Sequence, residues 1–360
     1  MAPAPARRLL ALVLAGVFAV FVAGAGAAAP DAAVSAPPRH GVARIIEDAP
    51  GATFRLDRLV RTAISWRGGP ITTSTGETVT VYVSDAYAVD AVTPESWAEF
   101  VAHLTHGSEI SDIVIRLAPL DQVEALCEAP ALGCYARDEL VSIGDTLIDG
   151  TTPDEVIRHE YGHHIAFNRT NPPWQAIDWG PKYWASSINV CSKVTQGNAF
   201  PGDEGQHYDQ NPGEAWAETY RLMDERKNGI VTASWDVVSS SFFPPEAALE
   251  AAERDVTQPW AAGHTSVFRR QFTKKGKKVW SISLQTPLDG NVSIAATLPK
   301  GGLYDVSLVA PNGRTVLKRG FFSGSRTKRI VASVCGQRSL FLRVTQKGTF
   351  GRVSVTASTP

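Results

Sequence analysis

Hydrophobic and polar positions change period several times along this chain, and each change marks an element. From Leu9 to Val22 apolar residues run almost without interruption, behind Arg7 and Arg8 and ahead of Ala23-Gly24-Ala25-Gly26-Ala27-Ala28-Ala29. A basic start, a short apolar run and small residues offering A-x-A choices are the parts of a secretory signal peptide. The run is short of the about 20 residues that a membrane span needs. Residues 1–29 are therefore read as a cleaved export signal, and the mature chain as having no span. Residues 30–52 are rich in Ala and Pro without period, as in a flexible leader or pro-segment.

From about Thr53 the pattern is that of an α+β domain, read as residues 53–264. Thr78-Val-Thr-Val-Tyr-Val83 alternates as a half-buried strand does, and Ile113–Leu117 and Leu140–Ile143 read as further strands. Thr93-Pro94-Glu95 opens a helix to about Leu104. Thr152-Pro153-Asp154-Glu155 opens another to about Asn168, with Thr152 as N-cap, Pro153 at the first helical position and acids at the positive end. Asn171-Pro172-Pro173 stops it. Residues 174–211 show no period and hold Trp174, Trp179 and Trp184; packing of a long loop is the simplest role for these, lining a cleft the sharper one. A helix follows from Asn211-Pro212 to about Lys227, closed by Asn228-Gly229.

After about Thr265 short alternating runs recur between Gly, Asn and Pro turns, among them Val279–Leu284, Val292–Ala296, Tyr304–Val309, Ser339–Val344 and Gly351–Thr356. About ninety residues of this texture predict a β-sandwich over 265–360. Charge sharpens the division. From Arg269 to Pro360 there are seventeen Lys/Arg against two acids, Asp289 and Asp305, a net of +15; the rest of the chain carries −16. The even cysteine count of an exported chain favours disulfides. Cys127 and Cys134 bracket a short loop and pair first, which leaves Cys191 for Cys335; no CxxC pair offers the alternative of a cysteine metal site.

The chemistry sits in His159-Glu160-Tyr161-Gly162-His163. Two histidines at i and i+4 share one helix face and can grip Zn²⁺, while the Glu one position on is placed to act on a water. The bland reading is a surface helix with two solvated histidines. A catalytic zinc needs a third protein ligand and an open position. A metzincin would carry Gly and His where Ala166 and Arg169 stand, so that class is excluded. Glu214-Ala215-Trp216-Ala217-Glu218 is the candidate: two carboxylates on one face of a helix whose intervening residues are apolar. One can bind the metal while the other hydrogen-bonds a ligand imidazole. Trp216 is expected to point away, into the core.

His159-Glu-Tyr-Gly-His163 followed by Glu214-Ala-Trp-Ala-Glu218-Thr-Tyr-Arg-Leu-Met223 resembles the gluzincin peptidases, particularly the branch of anthrax lethal factor and the bacterial Pro-Pro endopeptidases. The likeness covers the two helices alone. It implies a zincin-like catalytic fold with one zinc on His159, His163 and Glu214, Glu160 as general base, and Glu218 orienting His159. In that group a Tyr ahead of the third ligand stabilises the oxyanion. Here His207 holds that place and Tyr208 follows it, so Tyr208 is the expected donor with His207 as alternate. The C-terminal sandwich resembles the pre-peptidase C-terminal domains of secreted bacterial proteases by position, size and strand texture.

The expected function is thus a secreted, zinc-dependent endopeptidase acting on protein or peptide. The alternatives are a non-catalytic cell-surface binder on the same scaffold and a hydrolase of a non-peptide cell-wall amide. The acidic turn Pro201-Gly202-Asp203-Glu204-Gly205 is weighed for Ca²⁺, but lacks calcium-loop spacing and reads as a solvated turn. The basic sandwich is expected either to hold an anionic cell-wall polymer or to dock on its own acidic catalytic domain. Nucleic acid is not an expected partner of an exported chain.

Overall fold

The computed structural model describes residues 64–145, 148, 150–324 and 327–360, with the backbone of 43–45. The export signal expected at 1–29 and, apart from those three residues, the stretch 30–63 lie outside the described residues. The chain forms an α+β half followed by a β-sandwich, each around its own apolar core.

A six-stranded mixed sheet runs in the order β1-β5-β6-β4-β3-β2. Its strands are β1 (Ala43–Ile45), β2 (Trp66–Thr72), β3 (Thr78–Ser84), β4 (Val114–Leu117), β5 (Gly133–Ala136) and β6 (Glu139–Ser142). Strand β3 shows why alternation is readable: Val79, Val81 and Val83 are fully buried, whereas Thr78, Thr80 and Tyr82 between them are not. Full burial of such a side chain contributes about 1.5–3 kcal/mol. At one edge, β1 pairs in parallel with β5, Ala43 opposite Gly133. A segment without sequence period thus contributes a strand, because pairing with β5 supplies the order that its own pattern lacks.

Helix α1 (Pro94–Ala102) and helix α2 (Leu120–Cys127) flank this sheet, and the central helix α3 (Pro153–Phe167) packs against β5 and β6. Thr152 and Glu155 close a reciprocal capping box with Pro153 at the first turn, which fixes where α3 begins. Residues 174–211, expected to be irregular, contain α4 (Ala176–Trp179), α5 (Lys182–Ser187) and α6 (Val190–Thr195). Trp184 is fully buried and donates from Nε1 to Thr219 Oγ1 at 3.0 Å, whereas Trp174 and Trp179 stack on one another at 4.6 Å. Helix α7 (Pro212–Lys227) and helix α8 (Glu246–Thr257) complete this half.

Asp255 of α8 accepts from the backbone N–H of Tyr183 at 3.1 Å and of Trp184 at 2.7 Å, tying α8 to the start of α5. Burial pushes its carboxyl up to about 7 despite those two donors. A carboxyl raised in the native state stabilises fully below its ordinary range, and that contribution is lost as pH rises through the folded value. Between about pH 4 and pH 8 the native chain is therefore expected to lose melting temperature relative to Asp255→Asn, read by thermal scans of both proteins. Parallel curves for the two would remove this assignment.

The sandwich stacks the sheet β10-β15-β12-β13 on β14-β11-β16-β9. Its strands are β9 (His264–Phe272), β10 (Val279–Gln285), β11 (Gly290–Thr297), β12 (Leu303–Val309), β13 (Val316–Ser323), β14 (Lys328–Val334), β15 (Ser339–Gln346) and β16 (Gly351–Thr359). Val292, Ile294, Leu308, Leu342 and Val355 meet in its core. The short hairpin β7 (Thr170–Asn171) and β8 (Trp174–Gln175) lies just after α3.

Two disulfides are present, Cys127–Cys134, as its short loop suggests, and Cys191–Cys335, as elimination leaves. The second joins the halves. Around it the Arg338 guanidinium donates to Ser186 O at 2.7 Å and pairs with Asp289, whose own N–H donates to Ser186 Oγ at 3.0 Å. Among the described residues no helix is long and apolar enough to cross a membrane.

Candidate metal centre

Helices α3 and α7 approach closely because small residues meet where they cross. A Cβ on Gly162 would lie 2.8 Å from Ala217 Cα, so the glycine within the histidine motif is required by packing. Trp216 turns into the core, as expected, and its Nε1 donates to Gly162 O at 2.7 Å. The side of α7 that carries Glu214 and Glu218 then faces the side of α3 that carries His159 and His163. Asn211 caps α7, its Oδ1 accepting from Gly213 N at 2.9 Å, and this sets the register of Glu214.

His159, His163 and Glu214 are brought together with ligand atoms within 4.8 Å of one another. His159 Nε2 lies 3.1 Å from Glu214 Oε2, and His163 Nε2 lies 3.6 Å from Glu214 Oε1. Glu218 Oε2 stands 3.6 Å from His159 Nδ1, the other ring nitrogen. All four side chains are buried. The next histidine, His164, faces a different way, its Nε2 2.8 Å from Glu109 O.

Burial opposes charge on His159, but Glu214 and then Glu218 outweigh it and hold its pKa at about 9. Burial lowers the pKa of His163, with Glu214 opposing. Burial opposes ionisation of Glu214, yet the two imidazoles keep its carboxyl well below the usual range. Glu160 is different. Burial raises its carboxyl well above the usual range, with His159 opposing and Glu214 adding to the rise.

Whether these groups suit a cation can be judged from their unmet bonding capacity. His163 Nε2, Glu214 Oε1, both oxygens of Glu160 and Tyr208 Oη are buried without a hydrogen-bond partner. Orphaned buried polar atoms cost about 1–3 kcal/mol each. Two imidazole nitrogens and a carboxylate oxygen converging on one point, once His159 gives up its proton, are the donor set of a three-ligand zinc site. The residues fit the ion.

Tyr208 and His207 separate here. Burial raises the Tyr208 phenol, and the charges of Glu214, Glu204 and Glu160 raise it further. His207 instead stacks on Phe200 at 3.8 Å and holds Asp203 through Nδ1 at 2.8 Å. In the acidic turn, Asp203 is thus engaged by His207, and Glu204 accepts from Asn211 Nδ2 at 2.8 Å. These are the contacts of a turn that braces the start of α7.

Three further residues shape the centre without having been singled out in the sequence. Trp235 stacks its ring on His159 at 5.1 Å and 21°, and its backbone N–H donates to Glu218 Oε1 at 2.8 Å. Arg221 binds Glu218 at 2.7 Å and Glu225 at 2.8 Å and lies 4.7 Å from the Trp235 ring centroid. Arg221 was open to discovery, because Glu218, Arg221 and Glu225 recur at helical spacing. Trp235 is a lone aromatic in a loop and carries no such signal. Gly133 of β5 is the third: a Cβ there would lie 3.0 Å from Glu160 Oε1, so the strand passes directly over the glutamate.

No protein-family model matches the chain, and neither does any curated protein. Solved structures with some likeness include the Yersinia pseudotuberculosis-derived mitogen, with a TM-score of 0.22 at 10% identity over 27% of this chain and 87% of that one. A carbohydrate-binding module from the glycoside hydrolase family 9 protein Cel9A of Ruminococcus flavefaciens FD-1 gives 0.18 at 11% identity, over 27% of this chain and 98% of that one. The family GH115 glucuronidase BtGH115A gives 0.20 at 10% identity, over 57% and 39%. None of these likenesses carries an argument about the centre.

Proposed function

We infer that this chain is a secreted zinc-dependent endopeptidase of gluzincin type, with a zincin-like catalytic half. The observation that carries the reading is the convergence of His159, His163 and Glu214 beside the partnerless carboxyl of Glu160. Export is supported by the apolar run behind Arg7 and Arg8 and by the two disulfides.

His159 Nε2, His163 Nε2 and a Glu214 oxygen would hold the ion. Zinc bound there supplies Lewis acidity, toward a water and toward the scissile carbonyl. The pairing of His159 with Glu214 means that binding must release the proton these two share. Glu160 takes a proton from the attacking water and returns it to the leaving amine nitrogen. A raised carboxyl pKa suits that double duty, since the group must both accept and give up the proton near neutral pH. Tyr208 donates its phenol hydrogen to the substrate oxygen as negative charge gathers on it. Glu218 fixes the tautomer of His159 from behind, and Trp235 restrains the ring.

Purified mature protein is expected to contain about one zinc per chain and to cleave bonds in a proteome-derived peptide library. Tyr208→Phe is expected to lower kcat by about 10²-fold with little change in KM, while His207→Ala leaves kcat within about threefold. Protein that carries no zinc and leaves the library intact would sink the reading. The reverse result for the two variants would move the oxyanion role to His207.

A further inference from the structure

The +15 of the sandwich is not spent inside the molecule. Its two acids are each held by an arginine of the same segment, Asp305 by Arg319 and Asp289 by Arg338. Among the described residues the ion pairs stay within each half: those of the first half join its own residues, as in Arg158–Asp224, Arg169–Glu109 and Lys227–Glu253. The junction between halves is a disulfide with a few hydrogen bonds around Ser186 and Asn189. Docking of the basic half on the acidic half by charge therefore finds no support in these contacts.

Strand order sorts the cations. Every pairing in the sandwich is antiparallel, and the register sets the end of β9 beside the start of β16, Phe272 opposite Gly351. In the same way Ala296 faces Lys328, Tyr304 faces Gln346, and Val279 faces Thr345. The turns β9–β10, β11–β12, β13–β14 and β15–β16 therefore gather at one end. The turns that carry Asp289 and Cys335 lie at the other, against the first half. The far end holds four lysines in the stretch Thr273–Lys278, together with Lys300, Lys328 and Lys347, and its turns contain no acid. All of these lysines are exposed.

We propose that this end of the sandwich is a binding surface for an anionic glycopolymer of the cell envelope, its charges carried on repeating phosphodiesters. Three of these turns and the first residue of β14 present lysines, so a flexible chain can engage several at once, and weak contacts multiply into retention. Lysine suits such a partner: it is a compact, mobile charge that needs no fixed fork geometry. Base readout favours arginine at a groove, and base stacking favours aromatic platforms; here Phe350 is the sole aromatic in the turns. A bilayer would ask for apolar tips, yet Val279, Leu303 and Phe350 are each under half exposed, at 46%, 39% and 37%.

The surface is independent of the metal centre, and its test separates the two. The full mature chain is applied to immobilised poly(glycerol phosphate) wall polymer and eluted with salt. Wild type and Glu160→Gln are expected to be retained alike. K274Q/K275Q/K277Q/K278Q is expected to bind about tenfold more weakly at about 0.1 M salt, its log K against log salt flattened by about 1 for each lysine in contact. Arg314→Gln, in the turn after β12 at the opposite end, is expected to elute with wild type. Unchanged retention of the quadruple variant would overturn the proposal, as would equal weakening by Arg314→Gln. Tighter binding of wild type to phosphatidylglycerol vesicles or to duplex DNA than to the polymer would overturn it in favour of those partners.

Discussion

Replacing Glu160 by Gln is expected to lower kcat by about 10² to 10⁴-fold while leaving zinc content unchanged. The expectation follows from position. Glu160 lies outside the set of three converging ligand atoms, so its loss does not empty the site of donors. Both of its oxygens are buried and partnerless, and no neighbouring hydrogen bond is broken by the change. Gln has the same shape and removes a group whose ionised form is costly at that depth, so stability should hold within about 1 kcal/mol. Hydrolysis of the library peptides and metal content are measured on the same sample. Undiminished hydrolysis would show that another group carries the proton; loss of zinc with loss of activity would show that Glu160 is a ligand.

A second large effect is expected far from any substrate. Arg221 is fully buried, and its guanidinium binds Glu218 and Glu225 and also donates to the backbone oxygen of Ala233 at 2.8 Å. Burial pushes the Glu218 carboxyl up, but the Arg221 charge and then its hydrogen bonds outweigh this and hold it below the usual range. Arg221→Ala leaves two buried carboxylates without their cation, an outcome that costs about 3–5 kcal/mol when one partner of a buried pair is removed. It should also loosen His159, because Glu218 without Arg221 takes up a proton and no longer offers its negative charge to the Nδ1 side of the ring, 3.6 Å away. Urea unfolding is expected to show the stability loss. Chelator competition is expected to show zinc held about 10- to 100-fold less tightly. Arg221→Lys restores charge without the two-pronged geometry and should recover part of the first effect and less of the second. A midpoint for Arg221→Ala within about 1 kcal/mol of wild type would mean that the network is solvated after all.

The two helices that build the centre were legible because their signals are local. Thr152, Pro153 and Glu155 mark one start, Asn211 and Pro212 the other, and ligand spacing rides on the helical period. The sandwich strands were legible for the same reason, since inward Val and Ile alternate with outward polar residues over runs of seven to nine positions. Helices α4 to α6 were not: four to six residues make barely a turn or two, too few for a period to show. Helix α8 carries its signal in composition, Glu246-Ala-Ala-Leu-Glu-Ala-Ala-Glu, which favours helix, while its buried face of Ala248, Ala252 and Val256 is marked mainly by small residues. Trp235, Gly133 and the pairing of β1 with β5 belong to a third kind. Each depends on segments distant in sequence meeting in space, and no single stretch of chain encodes that meeting.

The bond between Cys191 and Cys335 spans 144 residues and ties α6 to the turn after β14. The stretch that leads from α8 into β9, around residues 258–263, is mostly exposed and lies inside that span. A cut there would leave two polypeptides that migrate as one molecule until a reductant is added. In a compartment where the bond stays oxidised, this protein tolerates a break in its own connecting segment without shedding its second half. Release of the basic portion would then answer to redox conditions as well as to proteolysis.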